Sequence, residues 1–191
     1  MNHVSQYINH KFYEREWILL GTGPSLNTFN PNDHKDKYIA AIYASEVVCN
    51  PNIVIAPDEG AYVNYINYPK CPVFTRAFNS KYHALNTYYF EYDCDIKTET
   101  HEGTFHGGDG IRYFPFHEPL PCSCTAKFAA EFFGRAGIKK LYTCGIDGGN
   151  EVFSKSPEWY AEPYKNWNNF DEEVRDFKQT ASKYNIELIR L

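Results

Sequence analysis

The sequence predicts an α/β fold with a mainly parallel sheet and helices on both faces. Three observations carry this: short apolar runs recur at intervals of about 15 to 20 residues, a glycine-rich turn directly follows the first run, and the later runs alternate with amphipathic helical patterns. A chain of 191 residues fits one domain, 1–191, large enough to bury a core without disulfide or metal staples.

The elements follow in chain order. Trp17-Ile18-Leu19-Leu20 is an apolar run with polar residues before it and a turn after it, as expected of a strand buried on both faces. Tyr38 to Tyr43 and Ile53 to Ala56 repeat that character, the rhythm of βαβ units. Between Cys71 and Arg112 only Pro72 to Thr75 and Tyr88 to Tyr92 read as extended, and the connections between them are loop-rich. A helix capped by Ser123 or Thr125 runs to Arg135, with Ala126, Ala129, Ala130, Phe133 and Ala136 near one face and Gly137 as its stop. Ile138 to Cys144 is a strand ending at Gly145-Ile146-Asp147-Gly148-Gly149. Phe170 to Tyr184 places Phe170, Val174, Phe177 and Ala181 at helical spacing behind an acidic first turn, and Ile186 to Leu191 closes as a strand. Together these give a Rossmann-like arrangement.

Composition narrows the function classes. Hydrophobic residues make up 43% and charged residues 23%, the usage of a soluble globular protein. No apolar run approaches the roughly 20 residues of a membrane span, and Met1 to Lys11 is polar, so a cytoplasmic protein is expected. The six cysteines include no CxxC pair and read as reduced thiols. A net charge of −5 lacks the footprint of a chain that lives on a nucleic-acid backbone, although a local basic patch is compatible with it.

The turn Gly21-Thr22-Gly23-Pro24-Ser25 carries the chemistry. A strand precedes it and Pro24 suits a first helical position, so amides and the positive end of a helix would face an anion above the sheet. Leu26 stands where a dinucleotide fingerprint has its third glycine, and no Gly-Lys-Ser/Thr follows, which removes weight from NAD binding and from ATP hydrolysis. As a bare pattern the string is also compatible with a tight turn. Asp147 and Asp58 stand where a site carboxylate belongs, and His117 and Asp109 are alternatives from the irregular segment; each is equally compatible with a turn or capping role. Asp93 and Asp95 have the spacing by which two carboxylates hold Mg²⁺ or Mn²⁺, a pattern that also arises by chance.

The string Ile18-Leu19-Leu20-Gly21-Thr22-Gly23-Pro24-Ser25-Leu26 resembles the opening of the family 42 bacterial sialyltransferases, and the segment from Ser123 to Asp147 resembles their capped helix and strand ending in Gly-Ile-Asp. The two segments together cover well under a quarter of the chain. The resemblance implies a variant of the GT-A arrangement and a CMP-activated sugar donor. It implies that Gly21, Thr22, Gly23, Pro24 and Ser25 lie near the phosphate, and Ser123, Thr125, Gly145 and Ile146 near the nucleotide. Asp58 and Asn64 would lie near donor or acceptor, and Tyr160 and Tyr164 resemble the family's tyrosine pair at the leaving phosphate. One departure is plain: the family uses a late histidine base, whereas every histidine here precedes residue 118.

The expected function is therefore transfer of a sugar from a nucleotide donor, CMP-linked in preference to UDP-linked, to a hydroxyl acceptor such as a surface glycan or a modified DNA base, in a chain without a membrane span that is compatible with a homo-oligomer. Asp147, Asp58, His117, Tyr160 and Tyr164 are the catalytic candidates. No cofactor is required, with Mg²⁺ or Mn²⁺ through Asp93 and Asp95 as the option. The rivals are a metal-dependent pyrophosphokinase-like phosphoryl transferase and a non-catalytic nucleotide-binding module.

Overall fold

In the computed structural model, residues 2–56, 71–76, 87–90, 92–93, 120–121, 124–156 and 170–191 are described. Asn2–His3 forms β1, Trp17–Leu20 β2, Tyr38–Ile42 β3, Ile53–Ile55 β4, Val73–Arg76 β5 and Thr87–Phe90 β6. Tyr92–Asp93 and Leu120–Pro121 form β7 and β8, Thr125–Arg135 is α1, Lys140–Cys144 is β9, Phe170–Lys183 is α2 and Glu187–Arg190 is β10.

All four side chains of β2 are buried, which requires cover on both faces and so places this strand inside a parallel sheet. The sheet has eight strands in the order β1-β6-β5-β4-β3-β2-β9-β10, and every pairing in it is parallel. The protein is thus an α/β protein with a Rossmann-like parallel sheet. From β2 the chain adds β3 to β6 on one side, then returns to add β9 and β10 on the other. The order reverses between β2 and β9, and it is outside the carboxyl ends of strands at such a switch point that open α/β sheets hold ligands.

Alternation along β2 divides the core. Trp17 and Leu19 join the larger cluster with Phe128, Phe132 and Phe133 of α1 and with Phe177 and Ala181 of α2. Ile18 and Leu20 point the other way, to a smaller cluster with Leu26, Ile39, Cys144 and Phe153. The two α-helices among the described residues therefore cover one face, whereas the 3₁₀ turn Pro24–Thr28 and the loop carrying Phe153 pack on the other. Aromatic edges knit the larger cluster: Phe12 lies 4.9 Å from Trp17 and Phe74 lies 5.0 Å from Phe132.

The helices meet closely. A Cβ at Gly134 would fall on the ring of Tyr184. Beside it Glu131, 2% exposed, accepts from Arg135 Nε at 2.9 Å and from the Tyr184 hydroxyl, so its charge is paired inside the α1–α2 joint.

Three sequence expectations change. The run Tyr88 to Tyr92 is divided between β6 of the main sheet and β7, which pairs with β8 in a separate two-stranded sheet. Tyr43 does not end β3 but begins the 3₁₀ turn Tyr43–Val48. The polar amino-terminal segment supplies a strand, because β1 pairs with β6, and the 3₁₀ turn His10–Tyr13 after it brings Phe12 into the core. No described helix is long and apolar enough to cross a membrane.

Candidate functional site at the switch point

The turn after β2 and the loop after β9 lie against each other. The Gly21 amide donates to the Cys144 carbonyl at 2.8 Å and the Gly23 amide to the Gly145 carbonyl at 2.7 Å. In return the Gly145 amide donates to Ser25 Oγ at 2.8 Å. The backbones approach so closely that a Cβ on Gly21 would fall on the Gly145 carbonyl, and one on Gly145 would fall on the Gly21 carbonyl. Gly145 also sits at φ +74°, a region glycine enters without a steric penalty. Both glycines are thus required by the contact itself.

A short 3₁₀ helix, Pro24–Thr28, follows with Gly23 as its N-cap and Pro24 at its first position. Its end already holds an anion. The Ser25 amide donates to Asp147 Oδ2 at 2.7 Å, and a Cβ at Gly23 would come within 2.7 Å of that oxygen and 2.9 Å of the Gly145 carbonyl. The amides of Gly21, Gly23 and Ser25 therefore all donate within the protein, which corrects the expectation of free amides above the turn. The other oxygen of Asp147 accepts from Arg190 Nη2 at 2.9 Å; the Asp147 side chain is 13% exposed and that of Arg190 72%. Both carboxylate oxygens of Asp147 thus hold the turn and the last strand.

The neighbouring strand ends are tied by hydroxyl groups. Ser45 Oγ, fully buried, lies 2.9 Å from the carbonyls of Leu20 and Ile42 and so joins the ends of β2 and β3. Tyr43 is buried at φ +46°, unusual for a bulky residue, and its hydroxyl accepts from Thr125 Oγ1 at 2.9 Å. This bond joins the end of β3 to the first turn of α1. Strain of this kind persists where surroundings over-determine it, and it concentrates at functional sites.

The cap of α1 is Cys124, whose sulfur accepts the Lys127 amide at 3.3 Å, with Thr125 inside the helix. The expected cap at Ser123 or Thr125 is thus displaced by one residue, and Ser123 lies outside the described residues. Burial pushes the Cys124 thiol up to about 12, and burial also lifts Cys49 to about 12 and Cys71 to about 11. Thiols held that high stay protonated at neutral pH. Burial likewise raises the Glu46 carboxyl to about 7, in the 3₁₀ turn that leaves β3.

Of the candidates read from sequence, Gly21, Thr22, Gly23, Pro24, Ser25, Thr125, Gly145, Ile146 and Asp147 come to the carboxyl edge at the ends of β2 and β9 and the start of α1. Asp58, Asn64, His117, Asp109, Asp95, Tyr160 and Tyr164 lie outside the described residues. Asp93 belongs to β7, away from the main sheet's strand order. Among the described residues no group of three or more His, Cys, Asp and Glu side chains is placed to hold a metal ion.

Comparison of the chain with protein-family models, with curated proteins and with solved structures finds no match in any of the three. The site therefore rests on its own geometry. Sequence reading missed Tyr43, Ser45 and Arg190. The signal for each was position: all three stand at or just beyond the carboxyl end of a strand, where α/β sites are built.

Proposed function

We propose that the protein is a glycosyltransferase that takes a sugar from a nucleotide donor, CMP-linked in preference to UDP-linked, and passes it to a hydroxyl acceptor, with the donor held at the carboxyl edge between β2 and β9. One observation carries this reading: the two segments that resemble the family 42 sialyltransferases in sequence meet at the switch point, Gly21 to Ser25 against Cys144 to Asp147, through four hydrogen bonds between residues about 120 positions apart.

The chemistry asks for a base and for a stabiliser of the leaving group. As the acceptor oxygen bonds to the anomeric carbon, its proton passes to the base, the bond from carbon to phosphate oxygen breaks, and CMP departs. Asp147 is engaged by Ser25 and Arg190, so in this reading it shapes the turn, and Asp58 or His117 is the base. Tyr160 and Tyr164 donate to the departing phosphate. Thr125, Ser123 and Ile146 border the nucleotide, and the acceptor is a surface glycan or a hydroxyl on a modified DNA base.

The test is calorimetric titration with CMP, UDP, GDP and AMP, each with and without Mg²⁺, followed by an assay for CMP-sugar hydrolysis. Metal-independent, selective CMP binding with hydrolysis is the expected result. Selective binding without turnover would leave a nucleotide-binding module. Metal-dependent binding of another nucleotide would favour phosphoryl transfer and overturn the proposal.

A further inference from the structure

We infer that Arg190 is a phosphate-contact residue of this site, an inference that rests on the nucleotide reading above and names the group that takes the nucleotide's phosphate. Among the turn amides, those of Gly21, Gly23 and Ser25 are donated to Cys144, Gly145 and Asp147. An incoming phosphate must find other donors or expel the Asp147 carboxylate, whose place is fixed from both sides.

Arg190 closes β10 at its carboxyl end, in the pairing that sets it opposite Thr143 of β9. One guanidinium nitrogen, Nη2, is held by Asp147 Oδ1 at 2.9 Å, yet the side chain is 72% exposed. A guanidinium carries five N–H donors in a rigid plane. The bond from Nη2 tethers the guanidinium beside the switch point, and the exposure of the side chain leaves its other donors to solvent, so the group is positioned before a ligand arrives. The guanidinium fork matches two oxygens of a phosphate. Asp147 thus has two tasks: its Oδ2 fills the end of the short helix, and its Oδ1 aims the arginine.

The experiment compares CMP with cytidine, its phosphate-free counterpart, by calorimetry on the wild-type chain, Arg190→Gln and Arg190→Lys. The expected result is that Arg190→Gln weakens CMP about ten- to a hundredfold, the range for a lost charged hydrogen bond, and leaves cytidine affinity within about twofold. Arg190→Lys should recover part of the loss, because charge returns without the fork. Equal weakening of CMP and cytidine, or no weakening of either, would overturn the assignment. Inorganic pyrophosphate serves as a separate probe. If the wild-type chain binds pyrophosphate but not CMP, and Arg190→Gln loses it, the nucleotide reading falls while the phosphate contact stands. If neither CMP nor pyrophosphate binds, both fall.

Discussion

At the amino edge of the sheet β2, β3 and β9 are joined by long charged side chains, whereas at the carboxyl edge the same strands are joined by glycine backbones and short hydroxyls. Glu16, just before β2, accepts from Lys140 at 2.9 Å, from Lys37 at 3.1 Å and from the Tyr142 hydroxyl at 2.9 Å. Both lysines lie over the Tyr142 ring, at 4.7 Å and 5.3 Å from its centre. Groups of this kind reach across gaps and re-form after a change. At the other edge Gly21 and Gly145 leave no room for a methyl group, and Ser25, Ser45, Thr125 and Asp147 each hold a specific backbone or side-chain atom. The difference teaches that the edge assigned to ligand binding is the one with the least tolerance for substitution.

The largest expected effect follows from that intolerance. Gly145→Ala should cost about 3 kcal/mol, combining a left-handed backbone penalty of about 1–2 kcal/mol with overpacking against Gly21. Gly149→Ala is the internal control. Gly149 has φ +78° but nothing within 4 Å of its Cβ position, so only the backbone penalty applies. Denaturant unfolding of both variants measures the contact as the difference between them. Equal losses would mean that the glycine contact contributes nothing and that the carboxyl edge is no tighter than an exposed loop.

A smaller effect separates the edges by pH. Glu46 is raised to about 7 by burial, above its unfolded value, so the native state retains a proton that the unfolded chain releases. Its contribution is complete below the unfolded value near 4.5 and is lost as pH rises through about 7. Glu46→Gln cannot lose that proton. Relative to the wild type it should gain on the order of 2 kcal/mol between about pH 4.5 and pH 8, read by unfolding across that range. A constant difference over the range would mean that Glu46 titrates normally and is solvated.

Sequence revealed what full burial dictates. The unbroken apolar run of β2 and the Ala- and Phe-rich face of α1 were legible because each is buried as written, and β2 has the boundaries the sequence suggests. β1 was not, because two polar residues at an edge are fixed by pairing with Thr87–Phe90 and carry no apolar signal of their own. The turn was legible as a glycine pattern but its occupant was not, since the carboxylate that fills it comes from 122 residues later. Cys124 was hidden by better capping residues on both sides in the sequence, and its sulfur both caps α1 and lies 3.8 Å from the α2 carbonyl of Glu173, a contact no local pattern shows. Tyr43 and Arg190 were both read as strand residues, and an apolar strand reading carries no sign of the bonds they make to Thr125 and Asp147.

The smallest expected effect belongs to the amino edge and runs in the opposite pH direction. Hydrogen bonds from Lys140, then Lys37 and Tyr142, hold the Glu16 carboxyl down at about 2. The folded value lies below the unfolded one near 4.5, so the unfolded chain takes up a proton first as pH falls. The stabilisation is present above the unfolded value and disappears as pH drops through about 2. Glu16 is 40% exposed, so solvent screening limits its worth to that of a surface ion-pair network, about 1 kcal/mol or less. Glu16→Gln should therefore lose that small amount at pH 7, and the gap to the wild type should close between about pH 5 and pH 2. Moderate salt should shrink the gap at pH 7, because exposed charges are screened. A loss at pH 7 as large as that of Gly145→Ala would erase the contrast between a tolerant amino edge and a tight carboxyl edge.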